Sequence, residues 1–338
     1  MDYKISIIIP CYNVEAYLKR CLNSIVNQTM GVEALQLILV NDASTDTTLN
    51  IMKEYEDKYP DNILIITYEN NMGQGYARNV ALDYAVASYI GYIDSDDYIE
   101  LDMYEKMYEK IISYSCEVVI CRNDRPFEEN EAKNGITGND ALYIFDTDDQ
   151  RRIFLTYFRD NVMCTNKLIS KDLLIDNNII FPENIKFEDN YWGFLLLLHI
   201  NSVYILEECL YHWYYNTNST VTSGKAILDR SGVQVLLLDE CKKRSFFDKY
   251  RDEIIYNFYE RSFVEPIFYL YNYNCINIDI IKKLKMILLK VCPEFTETSY
   301  YKNESVITRF ACEAEIRKFI ENDVTMDLMD EVKSNIFT

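Results

Sequence analysis

Two carboxylates spaced two apart at the end of an apolar segment can turn hard oxygens onto one locus. Asp94-Ser95-Asp96 has this spacing and follows the run Tyr89 to Ile93 directly. A divalent cation that also bridges a diphosphate suits such a pair, because it offsets the repulsion between the acids and completes its shell with phosphate oxygen and water. The same acids, Asp97 most readily, could instead open a helix and use its macrodipole. Three further polar clusters follow apolar runs: Pro10, Cys11, Tyr12 and Asn13; Asn41 and Asp42; and Asn70 through Arg78. Each has a plain alternative, since Asp42 could cap a helix and Asn70 to Gly75 could be only a turn. Their shared position after apolar runs is what points to one ligand site.

That coincidence requires a particular scaffold. Ile5 to Ile9 is a β-branched run closed by Pro10, as expected of a strand buried on both faces. Asn13 is placed to cap a helix whose apolar positions Val14, Tyr17, Leu18, Cys21, Leu22, Ile25 and Val26 share one face. Leu37 to Val40 predicts a second strand, and Ser44 or Thr45 caps a helix through Lys58. Ile63 to Thr67 predicts a third strand, Tyr76 to Ala87 a helix, Tyr89 to Ile93 a fourth strand, Leu101 to Ser115 a helix and Val118 to Cys121 a fifth strand. This alternation predicts an α/β fold: a doubly wound, mostly parallel sheet flanked by helices, with ligands at the strand C-termini.

Beyond residue 122 the pattern changes. Residues 123–138 read as a polar, irregular insertion, and Ile179 to Phe181, Val203 to Leu206 and Tyr211 to Tyr215 read as short strands. From Ala226 onward the periodicity is helical, with a break at Pro293. The division expected is therefore 1–222 as the main domain, split into a nucleotide-binding half (1–122) and an acceptor-side half (123–222), with 223–338 a helical C-terminal subdomain. Ile280 to Val291 carries Lys282, Lys283, Lys285 and Lys290 and could touch an anionic membrane surface, although a solvated helix face explains it as well.

Composition narrows the chemistry. The 338 residues carry 34 Lys plus Arg against 54 Asp plus Glu, and a formal charge of -20 disfavours any nucleic-acid partner. The longest nearly apolar run, Tyr191 to Ile200, is about half of the roughly 20 residues a bilayer requires. The N-terminal run is too short for a signal peptide, so a cytoplasmic location is expected. Ten scattered cysteines without a CxxC pair suit reduced core thiols. With His199 and His212 the only histidines, a three-histidine metal site is excluded, and the chemistry must rest mainly on carboxylates.

SIIIPCYN, VNDASTDTT, ENNMGQGYARNVAL, YIDSDDYI and FEDNYW, in this order between residues 6 and 192, resemble the successive motifs of family 2 glycosyltransferases with the GT-A fold. LYHWYYNTNS at 210–219 is similar to the family's closing strand and loop. The resemblance implies that Pro10 to Asn13 pack against a nucleotide base, with Tyr12 supplying an aromatic face. It implies that Asp42 accepts the imide N–H of uracil, which makes UDP the expected carrier, and that Arg78 contacts the nucleotide. By the same resemblance Asp94 lies on the ribose side with Ser95 beside it, Asp96 is the direct metal ligand, and His212 completes the metal or diphosphate site. A structural strand histidine remains the alternative for His212, and His199 reads as structural.

Asp189 takes the place of the family's general base, with Glu188 contacting a donor or acceptor hydroxyl; a cap pair opening a helix is the other reading of both. The function implied is an inverting, Mn2+- or Mg2+-dependent transfer of a hexosyl or N-acetylhexosaminyl group. The donor would be a UDP-sugar and the acceptor a hydroxyl of a saccharide or lipid-linked saccharide, in bacterial polysaccharide or cell-surface glycan synthesis. Two other classes stay open: a non-catalytic sugar-nucleotide or glycan-binding module, and a sugar nucleotidyltransferase. The latter would carry a glycine-rich phosphate loop after the first strand, whereas no glycine precedes Gly31.

Overall fold

The structure is a computed structural model that describes residues 2–124, 139–158, 161–214, 224–302 and 312–336. The chain divides into two compact units, one of residues 1–153 and 160–215, the other of residues 154–159 and 216–338.

The first unit begins with β1 (Ile5–Cys11), α1 (Leu18–Val26), β2 (Leu35–Asp42), α2 (Thr48–Lys58), β3 (Ile63–Tyr68), α3 (Gln74–Asp83) and β4 (Tyr89–Tyr92). After these come β5 (Tyr98–Ile99), α4 (Met103–Tyr114), β6 (Val118–Asn123), β7 (Ala141–Ile144), α5 (Asp148–Phe158), β8 (Lys167–Ser170), α6 (Lys171–Asp176), α7 (Glu188–His199) and β9 (Ser202–His212). One sheet runs β3-β2-β1-β4-β8-β6-β9-β5, with β7 beside β9. Every residue of β1 and β2 is buried, which explains their unbroken apolar runs: α3 covers β1 and β2 while α1 lies on the other side of the core with Ile5, Ile7 and Ile9. Each such side chain contributes roughly 1.5–3 kcal/mol on burial.

The α/β class and the parallel order β3-β2-β1-β4 are those the alternation predicts. The far half of the sheet is mixed, because β8 inserts antiparallel between β4 and β6 and was not foreseen. Val203 to Leu206 and Tyr211 belong to a single strand, β9, parallel to β6 with register shifts beside Arg122.

Several local expectations are corrected. Asn13 does not cap α1: it has φ 51°, and its Oδ1 accepts the Thr45 N–H at 2.8 Å, so a turn intervenes before the helix starts at Leu18. Neither Ser44 nor Thr45 caps α2; Asp46 Oδ1 accepts the Thr48 N–H at 2.9 Å instead. Ile179 to Phe181 is not a strand. The Asn79 side chain takes both backbone groups of Phe181, at 2.8 and 2.9 Å, where a neighbouring strand would have been needed. The 123–138 insertion lies outside the described residues from 125 onward, as does 215–219 of the expected closing loop.

The second unit is helical, with α8 (Gly224–Lys243), α9 (Phe246–Lys249), α10 (Arg251–Tyr259), a π-helical turn (Glu260–Val264), α11 (Glu265–Asn272), α12 (Ile278–Val291), α13 (Ser299–Lys302), α14 (Glu313–Glu321) and α15 (Met326–Ile336). Pro293 ends α12 as expected. Ile281, Leu284 and Leu288 bury one face of α12, while Lys282, Lys283, Met286, Leu289 and Lys290 are exposed. Seven cysteines are buried and Cys209 is exposed, with no disulfide among the described residues. No described helix is long and apolar enough to cross a membrane.

Candidate active site

The polar clusters stand where the parallel strands end, and hydrogen bonds lace them together. Asn13 and Glu15, after β1, bind the loop after β2: Glu15 Oε2 accepts the Thr47 N–H at 2.8 Å, and the Glu15 N–H reaches Asp46 Oδ2 at 3.1 Å. Pro10, next to last in β1, pairs with Val40, and Tyr12 leaves its ring half exposed beside this edge. Asp42, the last residue of β2, is 3 % exposed and accepts the N–H groups of Met72 and Gly73 at 2.7 and 2.8 Å. The sequence did not foresee this use of Asp42. Gly73 has φ +86°, which brings both amides onto the carboxylate, and a Cβ on Gly75 would stand 2.6 Å from the Pro182 carbonyl oxygen.

Arg78 joins the two halves of the site. It lies on α3, almost wholly buried, and donates to Asp94 Oδ1 at 2.7 Å and to Glu188 Oε1 at 2.5 Å, with Gln74 Oε1 at 2.9 Å. Its guanidinium lies 5.1 Å from the centre of the Phe181 ring. Phe181 stacks on Trp192 of α7 at 4.8 Å, and Tyr92 meets both rings edge-on. These aromatic contacts and the Asn79 clamp fix the start of α7, where Phe187 adopts φ 64° and turns Glu188 toward Arg78. Burial and the neighbouring Asp189 push the Glu188 carboxyl above its ordinary value, with Arg78 opposing. Asp189 is partly exposed, and its Oδ1 accepts from the Asn190 amide at 3.0 Å.

The loop after β4 holds the acids. Among the described residues no hydrogen bond from another side chain reaches the Asp96 carboxylate, and burial together with the Asp94 charge raises it to about 6. Its backbone carbonyl is fixed by Arg20 at 2.6 Å. Ser95 is buried against Cys11. Asp97, which the sequence offered as a helix start, opens no helix: it is 1 % exposed and bonded to Tyr211 and the Tyr214 amide. Burial and the charges of Asp94 and Asp96 push it above its ordinary value, with the Tyr211 and Tyr214 donors opposing.

His212 is placed differently from its expected role. Its Nδ1 meets Asp124 Oδ2 and its Nε2 meets Glu100 Oε1, both at 2.7 Å, while the ring stacks on Tyr98. Both nitrogens are thus engaged by carboxylates, which leaves no lone pair for a cation in this arrangement. No group of three potential metal ligands occurs among the described residues.

The sequence profile described as Glycosyl transferase family 2 matches residues 6–176. The chain belongs to that family. The match ends before α7, so Glu188 and Asp189 lie beyond it and are tied to the family segment through Arg78. Among relatives of this family 2 chain, the minor teichoic acid biosynthesis protein GgaB of Bacillus subtilis is 35 % identical over 215 residues, 63 % of this chain and 23 % of that protein. The crystal structure of Staphylococcus aureus TarS 1–349 superposes with TM-score 0.70 and 23 % identity, covering 98 % of this chain and 90 % of that one. A Pyrobaculum calidifontis mannosyltransferase, PcManGT, is similar at TM-score 0.54 and 14 % identity, covering 89 % and 85 % of the two chains. These two structures share the fold. The chain spans less than a quarter of GgaB.

Proposed function

We propose that this protein is an inverting glycosyltransferase that moves a sugar from a UDP-sugar to a hydroxyl of a saccharide or lipid-linked saccharide acceptor. The observation that carries the reading is the double pairing of Arg78, which brings the acidic loop after β4 and the helix bearing Asp189 to one edge of the sheet. Family membership supports sugar transfer. Staphylococcus aureus TarS 1–349 has been crystallised in complex with UDP-GlcNAc, in keeping with a uridine carrier here.

In this reading Tyr12 offers its ring to the base, and Asp42, whose oxygens each keep a further lone pair, accepts the uracil imide N–H. The Met72–Gly73 loop holds that carboxylate in place. Arg78 orients Asp94 and Glu188, and Asp189 removes the proton of the acceptor hydroxyl as its bond to the anomeric carbon forms. No second carboxylate is needed as a nucleophile, hence inversion.

A divalent cation fits the residues present. Asp96 is a partly buried carboxylate with no cationic side chain bonded to it among the described residues, and Asp94 keeps one oxygen not used by Arg78. Such hard oxygen donors suit Mg2+ or Mn2+; the PcManGT structure is a complex with GDP-Man and Mn2+. We assign Asp96, with Asp94 beside it, to hold the ion and leave His212 out of the ligand set. When bound, the ion would neutralise the departing diphosphate.

We further place residues 1–222 as the transferase domain in the cytoplasm. Residues 223–338 form the helical region whose α12 face, Lys282, Lys283 and Lys290 around Met286 and Leu289, contacts an anionic bilayer. Calorimetric titration with a panel of UDP-sugars, followed by assay of UDP release in Mn2+, tests the central reading. Saturable binding and UDP release are expected, and absence of any nucleotide binding would overturn it.

A further inference from the structure

The last acid of the loop has no place in the chemistry above, yet it is the most buried of the three. Asp97 Oδ2 accepts the Tyr211 O–H at 2.5 Å, and Oδ1 accepts the Tyr214 N–H at 2.8 Å. The Tyr211 oxygen in turn accepts the N–H of Asp94 at 3.3 Å. Tyr211 is fully buried at the end of β9, and Tyr214 lies two residues past it. On the other side, the Arg20 guanidinium sits 4.7 and 4.6 Å from the ring centres of Tyr98 and Tyr214 and donates to the Asp96 carbonyl. The loop is therefore held at the Asp94 amide, the Asp96 carbonyl and the Asp97 side chain, by groups that come from β9, the segment after it and α1.

We propose that Asp97 is a positioning residue: by fixing the Tyr211 hydroxyl against the Asp94 amide it sets where the Asp94 and Asp96 carboxylates stand. The inference rests on the transferase reading for its functional consequence and on these contacts for its geometry. The contacts as they stand, both accepted by Asp97, are those of its ionised form, which the Tyr211 and Tyr214 donors favour against burial. Two donors converge on Asp97, so two acceptor oxygens are required; an asparagine supplies one and must break or reverse the other bond. A buried polar relay of this kind keeps its geometry only when every member is satisfied.

Asp97→Asn, Tyr211→Phe and the double variant of the full chain test this by hydrogen exchange and by UDP titration with and without Mn2+. Exchange in peptides covering 93–99 should accelerate by about tenfold or more in both single variants, while β1 to β3 stay protected. The gain in UDP affinity on adding Mn2+ should fall by about fivefold or more, metal-free UDP affinity should stay within about twofold, and the double variant should match the worse single one. Unchanged exchange at 93–99 overturns the pin. Faster exchange with an undiminished Mn2+ effect overturns the positioning role and leaves Asp97 as packing alone. An unmodified protein that binds no UDP refutes the transferase reading instead, and the exchange result still decides the pin. Should Asp97→Asn not fold, Tyr211→Phe, which keeps the ring, carries the test.

Discussion

Arg78 and Glu188 are 110 positions apart in the chain and 2.5 Å apart in the fold. The pair links α3 to α7, and the second contact of Arg78, with Asp94, links both to the loop after β4. Arg78→Met would leave Glu188 buried without its cation, and breaking a buried pair in this way costs roughly 3 kcal/mol. Urea unfolding measures it. Addition of Glu188→Gln should recover part of the loss, and a deficit below about 1 kcal/mol for the single variant would show that the tie is dispensable.

Asp189→Asn tests the base. Asp189 does not cap α7, whose N-cap is Phe187, and lies within its first turn, so the substitution loses at most a charge–dipole contribution of about 0.3–1 kcal/mol and should change the melting temperature and UDP affinity little. Turnover should fall by about 10²- to 10⁴-fold if the carboxylate takes the acceptor proton. Activity within a few-fold of the unmodified protein would pass the role to another acid.

Asp42→Ala removes the acceptor for the Met72 and Gly73 amides as well as for the base. UDP binding should weaken by about 1–3 kcal/mol, the range for hydrogen bonds to a charged group. Equal affinity of the unmodified protein for UDP, CDP and GDP would contradict the assignment to uracil.

Asp96→Asn tests the cation and gives a pH signature. The folded-state carboxyl lies at about 6, above its ordinary 3.8, because burial and Asp94 disfavour its charge. A raised acid binds its proton more tightly when folded. The penalty is thus absent below about pH 4 and complete above about pH 6. The Asn variant should be more stable by roughly 1–2 kcal/mol at pH 7, allowing for partial exposure, and should lose that advantage as the pH falls from 6 to 4. Mn2+ should raise the melting temperature of the unmodified protein but not of the variant, and His212→Gln should keep the Mn2+ effect.

Reversing charge on α12 with Lys282→Glu and Lys283→Glu should abolish sedimentation with phosphatidylglycerol vesicles and leave UDP affinity unchanged. Neutral phosphatidylcholine vesicles should bind neither form, since each basic residue near an anionic surface contributes about 1 kcal/mol. Equal binding to both lipids would remove the electrostatic account.

The buried strands β1 and β2, the helices between them and the clustering of Asp42, Arg78 and Asp94 at one edge were legible because continuous apolar runs and helical periodicity are local properties. The family motifs were equally local. What the sequence could not supply was partner choice across long separations. Whether Asn13 caps its own helix or binds Thr45 depends on a loop 32 positions away. Phe181 reads as strand by its side chains, yet Asn79, 102 positions distant, takes its backbone groups. His212 looks like a ligand until Glu100 and Asp124 occupy both ring nitrogens. Asp97 looks like a helix start until Tyr211 closes over it. In each case a polar group must satisfy its hydrogen bonds once water is excluded, and the packing of distant elements decides which donor or acceptor is within reach.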